Sequence, residues 1–414
     1  MTVEVDVDPG EVGLDAGRLG RIEAHFRRYV DDGLLPGWSL VVSRRGRVAH
    51  IATHGMRDVE AGLPVESDTL VRIYSMTKPV TTVAALMLYE EGRFELNDPI
   101  ARWLPAFADT RVYAGGPASK PVTVPATEPI RVRHLLTHTA GLSYGFHHVH
   151  PVDEMYRAAG FEWAAPPGVD LAGVCDVWAG LPLMFQPGSR WNYSAATDVL
   201  GRLVEVISGQ PLDAFLRERI LGPLGMHDTG FTVPDGARHR LAALYIPAPG
   251  TGRAMRYDAL GDVVLTGRQF LSGGGGLVST LGDYLRFARL LLGRGDLDGT
   301  RLLGDRTVAY MTRNHLPGGA DLTTFGLPLF AETRFDGVGF GLGVSVVIDP
   351  VAYGTLTSAG DFGWGGAAST TFWVDPAEDL TVVFLTQLLP SSTHPIRTQL
   401  KQLVYAALVD RAGG

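Results

Sequence analysis

The sequence predicts an α+β fold in which one antiparallel sheet is assembled from both ends of the chain and a mainly helical region is inserted between them. Three observations carry this. A helix pattern and two β-rich runs open the chain, three β-rich runs and a helix pattern close it, and the stretch between them mixes helical periodicity with proline-rich loops. At 414 residues there is room for two or three structural units of roughly 150 residues each. No internal repeat and no low-complexity linker divides them.

The elements follow in order. Asp15 to Asp31 carries Leu19, Ile22, Phe26 and Tyr29 at helical spacing, with Gly33 as a stop. Trp38 to Ser43 is a short apolar strand, Arg44-Arg45-Gly46 a turn, and Arg47 to His54 alternates back to complete a hairpin. Helical patterns recur at Pro79 to Glu91, Val132 to Thr137, Ala195 to Ser208 and Asp283 to Leu292. Val344 to Ile348, Ser369 to Val374 and Leu380 to Thr386 are the three late strands, and a helix over about Ile396 to Val409 closes the chain.

Composition narrows the function. Apolar residues make up 45% and charged residues 19%, the balance of a folded globular chain. The 52 glycines and 26 prolines have no G-X-Y period, so the surplus means turns and close backbone approaches. Lys plus Arg minus Asp plus Glu is 36 − 44 = −8, and no basic run interleaves with aromatics, which argues against nucleic acid as a partner. The single cysteine, Cys175, supports neither a disulfide framework nor a zinc ribbon and reads as a small buried hydrophobe. The first eight residues are acidic where a signal peptide would be basic, and no apolar run reaches the roughly 18 residues of a membrane span. A cytoplasmic enzyme is the expectation.

The strongest local motif is Tyr74-Ser75-Met76-Thr77-Lys78-Pro79, directly before a helix pattern. Ser75 and Lys78, three apart at a helix start, share a face, so the amine can reach the hydroxyl. The helix N-terminus adds unpaired N–H groups and the positive end of the dipole. Trp191-Asn192-Tyr193-Ser194-Ala195 then sets a tyrosine just before a helix, and Gly363-Trp364-Gly365-Gly366-Ala367 opens a strand with backbone a substrate can approach closely.

Serine with lysine, then tyrosine, then a glycine-rich strand resembles the three motifs of the class C β-lactamase-like serine hydrolases, and within them the family VIII carboxylesterases. Ile130 to Leu142, Phe185-Gln186-Pro187-Gly188, Leu224 to Thr229 and Gly273 to Thr280 extend the likeness over nearly the whole chain. The resemblance implies a serine β-lactamase/penicillin-binding-protein-like fold. It divides the chain into an α/β domain of 1–78 with 270–414 and a mainly helical domain of 79–269, with the active site at their interface.

It also implies acyl transfer through an acyl-enzyme, with Ser75 as nucleophile, Lys78 or Tyr193 as base, and Tyr193 passing a proton to the leaving alcohol. The oxyanion hole would be the backbone N–H groups of Ser75 and Ala367, with no cofactor and no metal. Where the family's β-lactamases have Y-x-N and K-T-G, this chain has Ala195 and Trp364-Gly365-Gly366, which exchanges polar recognition for an apolar wall. The expectation is a carboxylesterase acting on short- to medium-chain esters. A β-lactamase, a D-amino-acid peptidase and an acyltransferase are the alternatives, and assembly as a homo-oligomer stays open.

Other signals are weaker. His134, His138, His147, His148 and His150 lie close together, but the glutamate of H-E-x-x-H is missing, which argues against metal; the family resemblance implies that His134 and His138 are structural, and the other three read as lining a loop at the pocket mouth. Gly273 to Gly276 lacks the G-K-[ST] of a phosphate loop and reads as a tight passage beside the active site. Gly337, Gly339, Gly341 and Gly343 alternate in a strand pattern, which argues against a dinucleotide site. Residues 108–125 and 144–177 are the expected pocket walls, with Tyr144, Phe146, Phe161, Trp163 and Trp178 as acyl- or alcohol-pocket candidates, and 314–335, with Phe325 and Phe330, as a lid.

Overall fold

Both ends of the chain meet in one eight-stranded antiparallel sheet. In chain order its strands are β1 (Gly37–Arg44), β2 (Arg47–Asp58), β3 (Leu63–Pro64), β4 (Val338–Phe340), β5 (Ser345–Val347), β6 (Phe362–Gly365), β7 (Thr371–Asp375) and β8 (Leu380–Thr386). Their order across the sheet is β4-β5-β6-β7-β8-β1-β2-β3. The computed structural model describes residues 3–163, 165–265, 270–327 and 335–409. β1 is central and buried along its whole length, with Trp38 opposite Thr386 of β8 on one side and His54 of β2 on the other.

Five late strands replace the three read from sequence. β4 and β6 carry Gly339, Gly363 and Gly365, and glycine weakens the strand signal that β-branched runs give. β2 continues four residues past His54, and the last helix ends at Tyr405, short of Val409.

The helices that position the site are α1 (Ala16–Asp31), α2 (Thr77–Glu90), α3 (Val132–Leu136), α4 (Ala196–Ser208), α5 (Leu281–Leu292) and α6 (Ile396–Tyr405). Asp15 caps α1 by accepting the Arg18 N–H at 2.8 Å. Alternation along the strands then builds two cores. Leu40, Val42, Val382 and Phe384 meet Leu19, Ile22 and Phe26 of α1 and Ile396, Leu400 and Val404 of α6. Val41, Val383, Leu385 and Phe372 point the other way, into a larger core shared with α2, α4 and α5. α2 is buried from Thr77 to Leu88, the mark of a helix enclosed on every side. Cys175 is buried. Among the described residues no helix is long and apolar enough to cross a membrane.

Candidate active site

Ser75 lies in a single 3-10 turn, Tyr74–Met76, that runs into α2, so it precedes the helix proper, and Lys78 is the second helical residue. The turn is held from several directions. Val71–Arg72 pairs with Val278–Ser279, the Ile73 N–H donates to Leu277 O at 3.1 Å, and the Tyr284 hydroxyl donates to Met76 O at 2.8 Å. Tyr74 has φ 43°, a left-handed conformation that a non-glycine residue keeps only where its surroundings enforce it.

The Lys78 side chain is fully enclosed, and its Nζ donates to three oxygens: Gly274 O at 2.7 Å, Tyr144 Oη at 3.0 Å and Ser75 Oγ at 3.3 Å. The Gly273–Gly276 run is threaded along the first turns of α2, for Thr81 Oγ1 donates to Gly273 O at 2.8 Å and the Leu277 N–H donates to Thr77 Oγ1 at 3.1 Å. Side chains are excluded there: a Cβ on Gly274 would collide with Asp198 and Tyr144.

Tyr193 approaches differently from expectation. Its ring face, not its hydroxyl, meets Lys78, with Nζ 4.5 Å from the ring centroid, while its Oη accepts a hydrogen bond from Trp364 Nε1 at 3.2 Å. Tyr144 supplies the hydroxyl on Lys78 instead. The loop after α3 brings Tyr144 there by pairing with the Tyr193 segment: the Asn192 N–H donates to His138 O and Asn192 Nδ2 to Leu142 O, both at 2.9 Å. His138 backs the Tyr193 ring at 5.0 Å, and burial together with Lys78 holds its imidazole well below its ordinary pKa.

These residues open onto a cavity of about 830 Å³, within the usual range for a small-molecule site. Ser75, Tyr144, Tyr193, Trp364, Gly365, Gly366 and Ala367 line it, with Phe146 and Trp163 stacked 4.6 Å apart on one wall. A Cβ on Gly366 would strike the carbonyl of Ile73, so only glycine lets the end of β6 lie this close to the serine turn.

A family profile described as Beta-lactamase matches residues 22–406. The chain belongs to the Beta-lactamase family. Within it, Protein Rv1367c of Mycobacterium tuberculosis is 41% identical over 89% of this chain and 90% of its own. Esterase EstB of Burkholderia gladioli is 33% identical over 97% and 98%. The solved structure of EstCE1, described as a hydrolase with promiscuous acyltransferase activity, superimposes with a TM-score of 0.78 at 28% identity, covering 94% of this chain and 98% of that one. These named relatives put the chain on the esterase and acyltransferase side of the superfamily.

In this Beta-lactamase family member not every expected pocket residue reaches the cavity. Phe161 and Trp178 turn into the main core, and the 108–125 hairpin lies away from the lining. His147, His148 and His150 do not line the mouth: His147 is buried behind Tyr144 and Phe146, with its pKa pushed down to about 4 by burial, His148 contacts Glu162, and His150 caps the Pro151–Ala158 helix. Of the expected lid, Phe325 packs beside Trp191, Phe335 lines the cavity, and Phe330 lies outside the described residues.

Sequence reasoning missed Asp198. This fully buried carboxylate, in the first turn of α4, accepts Ser272 Oγ at 2.5 Å, the Gly274 N–H at 3.1 Å and Tyr144 Oη at 3.5 Å. It thereby fixes two of the three groups that hold Lys78. A lone acid among Ala195, Ala196, Val199 and Leu200 is the signal that could have found it. Burial pushes its carboxyl above the usual carboxylate range, with Lys78 and the three donors opposing. A raised pKa in the folded state means that ionising Asp198 costs stability once the pH climbs past the unfolded value of about 3.9. Asp198→Asn removes that cost. Its melting temperature relative to wild type is therefore expected to rise between pH 4 and pH 8, while kcat falls on the order of 10- to 100-fold as Tyr144 and Gly274 shift. A pH-independent difference in melting temperature would refute the assignment.

Proposed function

We propose that the protein is a serine carboxylesterase acting on short- to medium-chain esters, with Ser75 as nucleophile, in a site between the 1–78/270–414 unit and the 79–269 unit. The observation that carries this reading is the set of hydrogen bonds around Lys78. Gly274 O and Tyr144 Oη take two of the Nζ hydrogen bonds and anchor the amine, which leaves it 3.3 Å from Ser75 Oγ, within reach of the hydroxyl proton it has to move.

Lys78 takes the Ser75 proton as Oγ attacks the ester carbonyl, and the N–H groups of Ser75 and Ala367 receive the developing oxyanion. The Trp364 N–H, donating to Tyr193 Oη, leaves the Tyr193 proton for the departing alkoxide and then stabilises the phenolate. In the second half a water returns a proton to Tyr193 as it attacks the acyl group, and Lys78 restores the Ser75 proton. The name Esterase EstB and the description of EstCE1 as a hydrolase, for relatives matched over nearly their whole length, support ester hydrolysis as the reaction class.

Acyl transfer to a bulky alcohol is a second reading. It is favoured by a cavity of about 830 Å³, which leaves much space beyond a short acyl group, and by the acyltransferase activity described for EstCE1. The test is a fluorophosphonate probe with peptide mapping, alongside p-nitrophenyl acetate to octanoate, nitrocefin, a D-alanyl amide and added acceptor alcohols. Labelling of Ser75 with preferred turnover of the esters is expected. Labelling elsewhere, or nitrocefin turned over faster than every ester, would reject the reading, and partition into a new ester would favour the transferase.

A further inference from the structure

Arg397 lies on the opposite face of β6 from Trp364. It is the second residue of α6, and its guanidinium lies over Gly365, at a position where any Cβ on that glycine would collide with it. Its Nη2 donates to Gly366 O at 3.0 Å and to Thr370 O at 3.4 Å, while the Gly366 N–H donates to Thr370 O at 2.9 Å. The carbonyl of Gly366 belongs to the same peptide unit as the N–H of Ala367. A cation hydrogen-bonded to the oxygen of a peptide fixes the plane of that unit, draws charge toward the oxygen and so makes its N–H a stronger donor.

We infer that Arg397 is a positioning residue for the oxyanion-binding peptide, aiming and polarising the Ala367 N–H from behind the strand. This rests on the acyl-enzyme reading above and adds to it the group that organises the second oxyanion donor. It also accounts for the two glycines after Trp364: Gly365 makes room for the guanidinium, and Gly366 lets the peptide reach the serine turn. Arg397 also borders the cavity. Recognition of an anionic substrate group is therefore the competing role, and the two differ in which kinetic constant they move.

The experiment compares Arg397→Met and Arg397→Lys with wild type on a neutral p-nitrophenyl ester, an ester carrying a carboxylate, and a trifluoromethyl ketone whose adduct on Ser75 bears an oxyanion. Loss of a direct oxyanion donor costs on the order of 100- to 1,000-fold, so a group acting through that donor is expected to cost roughly 10- to 50-fold. That loss should fall on kcat for both esters, with KM within about 2-fold and a parallel rise in the inhibition constant of the ketone. Arg397→Lys, which keeps a cation near Gly366 O, should recover part of the rate. Gly365→Ala, which displaces the guanidinium, should match Arg397→Met and add little to it in the double variant. Unchanged kcat, or a rise in KM confined to the anionic ester, overturns the inference. Should wild type turn over nitrocefin and no ester, the esterase reading fails, and the same comparison of kcat is made on nitrocefin.

Discussion

Ser75→Ala is expected to lower ester turnover by at least about 10,000-fold, the scale on which loss of a nucleophile acts when its partners work as a unit. The melting temperature should hardly move. Among the described residues the Oγ takes one hydrogen bond, from Lys78 at 3.3 Å, and Lys78 keeps Gly274 O and Tyr144 Oη once it is gone. The turn itself is held through backbone contacts of Ile73 and Met76, which alanine preserves. Stopped-flow and endpoint assays with p-nitrophenyl butyrate, read beside a thermal melt, test both halves. Residual turnover above one part in about 1,000 in a folded variant would remove Ser75 from the reaction, since that exceeds what binding and the oxyanion hole alone leave behind.

Lys78→Met should cost about 1,000-fold in kcat, inside the range that one general base contributes. Methionine fills the channel but donates nothing, so the buried Gly274 carbonyl loses its 2.7 Å partner at a cost of about 1–3 kcal/mol. Part of that is offset because an amine no longer has to be desolvated. Lys78→Arg is the sharper control. A guanidinium is charged and never gives up its proton, and it is too large for the space between Gly274 and Tyr144, so it should be as inactive as methionine. Activity in the arginine variant would show that charge, and not proton transfer, is what Lys78 supplies.

What the sequence discloses depends on how local the signal is. Ser75 with Lys78, Tyr193 with its flanking Trp191 and Asn192, and Trp364 with its glycines are short strings of unusual residues, and Ser75, Tyr193 and Trp364 with its glycines line one cavity. The partners they acquire are long-range. Tyr144 meets Lys78 across 66 positions and Arg397 reaches Gly366 across 31, so nothing in either neighbourhood announces the contact. Tyr144 and Phe146 look alike in sequence as pocket aromatics, yet the hydroxyl of one touches the lysine while the ring of the other stacks on the tyrosine. The sheet shows the same division. Runs rich in β-branched and aromatic residues declare β1, β2, β5, β7 and β8, whereas β4 and β6, interrupted by glycine, give a weaker signal and pair with their neighbours.

The pairing of β1 with β8 also bears on how the molecule is made. Leu40 lies opposite Phe384 and Val41 opposite Val383, more than 340 positions apart, so the middle of the sheet cannot form until residues 380–386 have left the ribosome. The segment bearing Ser75 emerges before β6, Gly366 and the arginine behind them, and waits for all three. On the reading proposed above, a chain that stops short of those residues is expected to be inert toward esters even though its serine and lysine are already present. Reactivity is thus expected to wait on closure of the sheet, not on the serine and lysine themselves.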